Sequence, residues 1–408
     1  MTFYKVINMS YFKRVFLSLY AAIFISSLGL GILSPILPSY VDRFATSALT
    51  LGLVFGAYSA SRTIFMTPIG YLSDRISRKV FIVTGLALFT TVSPLYAMAN
   101  GVIHLVLVRF LQGLAAAMIL PVAMSYMGDL APKGREGFVM GTFTSAFFAG
   151  LGGGPLIGGY LRDRYSMDAA FYGMGILSLA ALIVVIVTLP TDEHPQHGTR
   201  KRVKARVEKR QLLPTADLAG LLIFRFSRAI GIGFTWVLMP LFAVGELHLS
   251  SFQVGVLLSV NTGITTILQA PFGHMSDRFG HLKSLFLGSV IGAFAVAGIS
   301  WAGNFRDLII VFLAMGIAGG LVVPAGSALA VRIGQERGMG TVMGLYNTSL
   351  SLGTMLGPII GGFMADTWGI RSVFPLGGAV GIAGCLALLF LWRKTPLPHA
   401  LDNGHPRY

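Results

Sequence analysis

The sequence predicts an all-α membrane protein in which twelve transmembrane helices form two parallel six-helix repeats. Three observations carry that prediction. The mean hydropathy is +0.74, and only 12% of the 408 residues are charged; soluble domains carry roughly twice that charged fraction. Twelve apolar runs follow one another between clusters of charge, glycine and proline, each close to the ~20 residues a helix needs to cross a bilayer. Finally, one half of the chain repeats the other at a constant offset of 203 residues.

The repeat is anchored on Gly70-Tyr71-Leu72-Ser73-Asp74-Arg75-Ile76-Ser77-Arg78-Lys79, which returns as Gly273-His274-Met275-Ser276-Asp277-Arg278-Phe279-Gly280-His281. At the same offset Pro68 maps to Pro271, Gly113 to Gly316, Pro121 to Pro324 and Gly141 to Gly344. Pro155, Gly158 and Asp163 likewise map to Pro358, Gly361 and Asp366. A single offset held over about 95 residues indicates an internal duplication.

In chain order, the first six spans are expected at about Val15–Tyr40, Leu51–Gly70, Val80–Ala99, Ile103–Met127, Phe138–Leu161 and Ala169–Leu189. The second six are expected at about Asp217–Val244, Ser251–Phe272, Ser284–Trp301, Leu308–Val331, Thr341–Met364 and Arg371–Trp392. The organisation is therefore a six-helix bundle over 1–189, a basic linker over 190–216 and a second bundle over 217–408. The linker carries Arg200-Lys201-Arg202-Val203-Lys204-Ala205-Arg206 and is too polar to span. The first apolar run is too long for the core of a cleavable signal and lacks a small-residue cleavage site.

Orientation follows from the Lys and Arg count in the loops. With the N-terminus inside, 22 of the 31 cations fall on the inner face, five on the outer face and four within spans. Both termini are thus expected in the cytoplasm. Six spans per repeat makes the two repeats enter the membrane in the same direction, related by an axis along its normal. The formal charge of +15 reads as anchoring against anionic lipid rather than nucleic-acid binding. The single cysteine, Cys385, excludes an intrachain disulfide and reads as a small packing residue. No Cys/His pair has metal-ligand spacing, so no metal is expected.

Twelve spans in two parallel repeats, together with four local motifs, resemble the major facilitator superfamily of secondary transporters. Gly70…Asp74-Arg75…Arg78-Lys79 looks like that superfamily's signature between helices 2 and 3. Arg109-Phe110-Leu111-Gln112-Gly113 resembles its helix-4 motif. Gly150-Leu151-Gly152-Gly153-Gly154-Pro155-Leu156-Ile157-Gly158-Gly159 is similar to the helix-5 motif of its drug:proton antiporter branch. Gly29-Leu30-Gly31-Ile32-Leu33-Ser34-Pro35-Ile36-Leu37-Pro38 is similar to that branch's helix-1 pattern. The resemblance covers the whole chain and implies the major facilitator fold, alternating access, no enzymatic activity, no cofactor beyond a proton gradient, and a monomer.

The resemblance also implies a conformational latch in which Asp74, Arg78 and Asp129 close against the start of helix 11. Gly70, Arg75, Asp277 and Arg278 belong to the same two loops. On the residues alone, Gly70 lets the helix end turn closely, and Asp74 accepts from Arg75 or Arg78. In the second copy Arg78 becomes His281 and Asp129 becomes Arg332, so only one full latch is expected. In helix 5, Gly150, Gly154 and Gly158 recur every four residues and permit close helix approach. Pro155 invites a bend. Gly353, Gly357, Pro358 and Gly361 repeat the pattern in helix 11, which suggests a hinge-and-packing role.

Four arginines, Arg62, Arg109, Arg225 and Arg228, fall inside spans, where charge is costly and marks a cavity or a partner. Arg225 and Arg228 share one helix face at i,i+3, ~12–17 Å from the start of their helix. All sixteen acids lie in loops, tails or helix ends, so no deep carboxylate stands ready for a cationic drug or a proton. Tyr58, Ser59, Gln112, Tyr126, Trp236, Asn261, Gln269, Tyr346 and Asn347 are expected to line the same cavity. The expected function is proton-coupled efflux of a small amphiphilic solute, anionic or zwitterionic, across the bacterial inner membrane. Uptake of an organic anion, flipping of an anionic lipid, and a receptor or assembly factor that moves nothing remain the alternatives.

Overall fold

The computed structural model describes residues 2–33, 48–132, 134–190 and 215–393. The expected end of the first span at Tyr40, the Ser34–Pro38 part of the helix-1 motif, Asp42, Arg43 and Lys133 lie outside the described residues. So do the linker cations, Lys394 and Arg407. The described chain holds twelve α-helices. The first six are α1 (Thr2–Leu33), α2 (Ala48–Ser73), α3 (Arg78–Val92), α4 (Val102–Leu130), α5 (Glu136–Arg164) and α6 (Met167–Thr188). The second six are α7 (Ala216–Gly245), α8 (Ser251–Phe279), α9 (His281–Gly298), α10 (Phe305–Arg337), α11 (Met339–Trp368) and α12 (Ile370–Arg393). Ten of these helical stretches are long and apolar enough to cross a membrane. Large apolar side chains point outward along them, with Phe294 72% and Phe363 70% exposed. In water such a surface would be unfavourable; in lipid it faces its own kind.

The two sets of six pack by one rule. In the first, α1 lies against α5 and α6, α2 against α4, and α3 against α4 and α6. In the second, α7 lies against α11 and α12, α8 against α10, and α9 against α10 and α12. The halves then meet crosswise, α2 on α11 and α5 on α8. The six repeated prolines, Pro68, Pro121, Pro155, Pro271, Pro324 and Pro358, all sit inside continuous helices.

Several sequence expectations shift here. The third span ends early, at Tyr96 rather than Ala99, and the third and ninth both finish in 3-10 turns, over Ser93–Tyr96 and Ile299–Trp301. α8 runs about two turns beyond Phe272, so Asp277 and Arg278 are helical rather than in a loop. At one end of the first half, cations cap exposed carbonyls: Arg14 Nε donates to Thr188 O at 3.0 Å and Lys79 Nζ to Ile186 O at 3.1 Å. These serve the last turn of α6, where carbonyls lack helical partners and the dipole is negative. Cys385 is buried in the core, as a packing residue.

The glycine faces of α5 and α11 pack inside their own halves. A Cβ on Gly150, Gly154 or Gly158 would fall on the α1 backbone at Phe24, Leu28 or Ile32. One on Gly353 or Gly357 would fall on α7 at Phe226 or Ile230, and one on Gly361 would meet Phe234 and Leu238. Both helices pass through Pro155 and Pro358 unbroken. Close packing is therefore what these positions do in the structure. Gly154→Ala is expected to destabilise the protein by about 2 kcal/mol through overpacking. Gly153→Ala, where a Cβ meets nothing within 4 Å, is expected to be neutral. Thermal unfolding of the two variants in detergent checks the contrast.

Candidate functional site

Two helices begin at the seam between the halves without a side-chain cap of their own: α11 after Gly338 and α5 after Arg135. The first N–H groups of any helix lack intrahelical acceptors. Here a carboxylate from the opposite half supplies them. Asp74, in the turn after α2, accepts from Gly340 N at 2.6 Å and Thr341 N at 2.9 Å, and Thr341 Oγ1 adds a third bond at 3.0 Å. Asp277, near the end of α8, accepts from Gly137 N at 2.7 Å and Phe138 N at 2.9 Å. In both cases the bonds go to the second and third residues of the helix, where a capping carboxylate acts and the helix dipole favours negative charge.

Behind Asp74 the Arg78 guanidinium is buried, 4% exposed. It pairs with Asp129 at 2.7 Å and Asp74 at 3.6 Å, and donates to Ser125 O at 3.0 Å. Ser125 Oγ in turn reaches Met339 O at 3.3 Å, so α4 also touches the start of α11. Arg75 is not part of this group. It lies exposed on the Tyr71 ring, 4.2 Å from the centroid, and donates to the Tyr71 hydroxyl. Arg278 is likewise exposed at its helix end. Gly70 does not serve a turn. It sits in α2 where α11 crosses, and a Cβ there would fall on the Gly340 carbonyl oxygen. Gly273 does the same against Gly137. Gly338 has φ +100, a left-handed conformation, with Asp74 Oδ2 occupying the space a Cβ would take.

Only the first copy carries the full Asp–Arg–Asp set, yet the second copy also closes. Its cap is intact at Asp277 although its supporting charges differ. His281 replaces the buried arginine, with Nδ1 at 2.7 Å from Ser276 Oγ and Nε2 at 3.9 Å from Asp277. Arg332 turns to Glu136, at 3.8 Å. Glu136 is 3% exposed and accepts from Gly134 N at 2.8 Å. Sequence reading passed over it because it lies in a short polar loop and has no acidic counterpart at the repeat offset.

From the latches the halves stay in contact to about mid-helix. Thr67 and Thr348 hydroxyls meet at 2.8 Å, and Ser351 donates to Ser59 O at 3.2 Å. Thr144 donates to Gln269, and Asn347 Nδ2 reaches Met124 Sδ at 3.5 Å besides Met343 O at 2.8 Å.

The span arginines separate into two groups. In the first half Arg62 and Arg109 share one ring, their Cζ atoms 5.4 and 5.7 Å from the Tyr58 centroid. Arg109 is 6% exposed and donates to Gln112 Oε1 at 3.0 Å, which also accepts from Tyr96 at 2.7 Å. Tyr58 and Arg62 line a pocket with Ser26, Ser27 and Phe147, drawn from α1, α2, α3, α4 and α5. In the second half Arg225 is 7% exposed and stacks on the Tyr346 ring at 4.4 Å. Arg228 lines another pocket, between α7, α9, α10 and α12. Among the described residues no salt bridge reaches Arg62, Arg225 or Arg228.

Other expected lining residues sit elsewhere. Tyr126 bonds Tyr11 at 3.1 Å with its ring 5.9 Å from Arg78, at the latch. Asn261 reaches Phe312 O at 3.5 Å and joins α8 to α10. Trp236 is 39% exposed and lines neither pocket.

Because the Thr67–Thr348 contact lies within reach of the Asp74 cap, its closure reports on the latch. In a Cys385→Ser background, Thr67→Cys with Thr348→Cys is expected to cross-link rapidly under mild oxidation. Adding Asp74→Asn, which sets an amide donor against two backbone donors, is expected to slow the reaction severalfold. Gel mobility over time reads the result.

The Major Facilitator Superfamily model matches residues 19–224 and 221–406, nearly the whole chain. An uncharacterised MFS-type transporter of Methanocaldococcus jannaschii is 29% identical over 364 residues, 89% of this chain and 94% of that one. Multidrug resistance protein 2 of Bacillus subtilis is 25% identical, covering 94% of this chain and 96% of its own. The quinolone resistance protein NorA of Staphylococcus aureus is 24% identical, covering 92% and 96%. Among solved structures, the human organic anion transporter TETRAN superposes with a TM-score of 0.81 at 16% identity, covering 92% of this chain and 99% of its own. Fold and sequence agree: this chain is a multi-pass membrane protein of the Major Facilitator Superfamily, a transporter and not an enzyme.

Proposed function

We propose that the protein exports a small amphiphilic solute, anionic or zwitterionic, in exchange for protons, by alternating access. The observation that carries the solute class is the arginine pair on Tyr58, beside a pocket also lined by hydroxyls and apolar side chains. Two guanidinium groups held together at membrane depth create a positive field in a low dielectric, which an anionic group relieves. A permanently cationic drug meets no deep carboxylate among the described helices, since every acid there lies near a helix end. Export is supported by the relatives named for multidrug and quinolone resistance.

Residues 1–189 and 217–408 are the two moving bodies, joined by the linker 190–216, and the protein works as a monomer. The loop charge count supports placing both termini, and therefore both latches, on the cytoplasmic side of the inner membrane. The structure is then the outward-facing state. Each cap contributes on the order of 1 kcal/mol. That is strong enough to bias the equilibrium and weak enough for solute or proton binding to reverse it. Among the inner-face carboxylates, Asp74, Asp129, Asp277 and Glu136 are those at the two latches and available to a transported proton.

The test is pH-gradient dissipation in inverted vesicles, with anionic, zwitterionic and cationic amphiphiles added in turn. Anionic or zwitterionic solutes are expected to collapse the gradient, and Arg109→Ala to reduce the initial rate at least tenfold, about 1.4 kcal/mol. A response confined to cations would overturn the solute class. Silence across the panel, with direct flux still measurable, would overturn proton coupling.

A further inference from the structure

The second latch holds an arrangement that its partner lacks. Glu136, Asp277 and His281 each place one ligand-type atom within 4.8 Å of the other two. They come from both halves: Glu136 opens α5, while Asp277 and His281 flank the α8–α9 turn. At the first latch the equivalent space is filled by the Arg78 guanidinium, whose charge binds both nearby carboxylates. Here that cation is gone. The imidazole is 3% exposed, and its Nε2 has no hydrogen-bond partner. Ser276 Oγ sits 2.7 Å from Nδ1. If Nδ1 carries the proton and donates to Ser276, Nε2 presents its lone pair towards two carboxylates. Three electron-pair donors converging in a buried space call for a shared cation.

We propose that this cluster is a binding site for a divalent transition metal of the zinc type, bridging the two halves. One imidazole and two carboxylates are a ligand set zinc accepts, at about 2.0–2.2 Å per bond, with a further position left for water. The imidazole disfavours the all-oxygen cations magnesium and calcium. Ser276 would serve as the outer partner that fixes the ring and its tautomer. Asp277 keeps lone pairs for the metal while it caps α5, because each of its oxygens accepts one backbone bond. Arg332 is the one opposing charge. It lies 3.8 Å from Glu136 and its side chain is 40% exposed, so it is free to turn into solvent as the metal enters. A metal held by both halves would clamp the closed latch. That consequence rests on the alternating-access reading, whereas the binding itself does not.

Equilibrium dialysis of the full-length protein in detergent against micromolar zinc chloride tests the site without any transport assay. The wild type is expected to hold one zinc more per chain than His281→Arg, which restores the residue type of the first latch. Glu136→Gln is expected to weaken that zinc at least tenfold while retaining its thermal unfolding midpoint without metal. Equal zinc in wild type and His281→Arg would assign any binding to other histidines and overturn the proposal. Absence of zinc, together with a His281-dependent change in unfolding midpoint between neutral and mildly acid pH, would assign the space to a proton and overturn it equally.

Discussion

A carboxylate from one half seated on the uncapped N-terminus of a helix in the other half is the interaction on which this architecture turns. Helix ends leave backbone N–H groups without partners, and burying them unpaired is costly. α5 and α11 both start at the seam, and neither carries its own capping side chain. Asp277 and Asp74 satisfy them from across the interface. The same crossings require glycine: Gly70 meets Gly340, and Gly273 meets Gly137, at backbone-to-backbone distance. The close approach places each carboxylate within reach of its cap. Closure is thus set by backbone geometry, with side-chain charge added behind it.

That division explains how the two latches diverge without either being lost. Behind Asp74 the buried Arg78 joins two acids. Behind Asp277 a histidine, a glutamate and a half-exposed arginine occupy the corresponding space. The first arrangement keeps its charge at any physiological pH, because arginine stays protonated. The second pairs Glu136 with a half-exposed arginine and sets a buried imidazole beside Asp277.

Deeper in the membrane the balance of charge is reversed. Acids gather at the helix ends and arginines occupy the spans, steadied by aromatic rings: Arg62 and Arg109 on Tyr58, Arg225 on Tyr346. Cation–π contact and hydrogen bonding make such burial tolerable.

Much of this was legible in the residues. Hydropathy, the 203-residue repeat and its six prolines and paired glycines determined twelve helices in two like-packed sets, because membrane spans and duplicated packing leave periodic traces. The four span arginines stood out because charge is rare at that depth. Other points depended on which helix crosses which. Gly70 looked like a turn residue and proved to be a crossing residue, and Arg75 faced Tyr71 rather than the latch. Tyr126 and Asn261 went to the latch and to helix packing. In the second latch Asp277 was legible but its partners were not, because they are backbone N–H groups, which every residue carries, and because Glu136 beside it breaks the repeat. The sequence by itself determined the helices, their duplication and the depth of the charges, since those are properties of local composition and period. Only the tertiary structure decided which carboxylate caps which helix, because that depends on the placement of backbones distant in the chain.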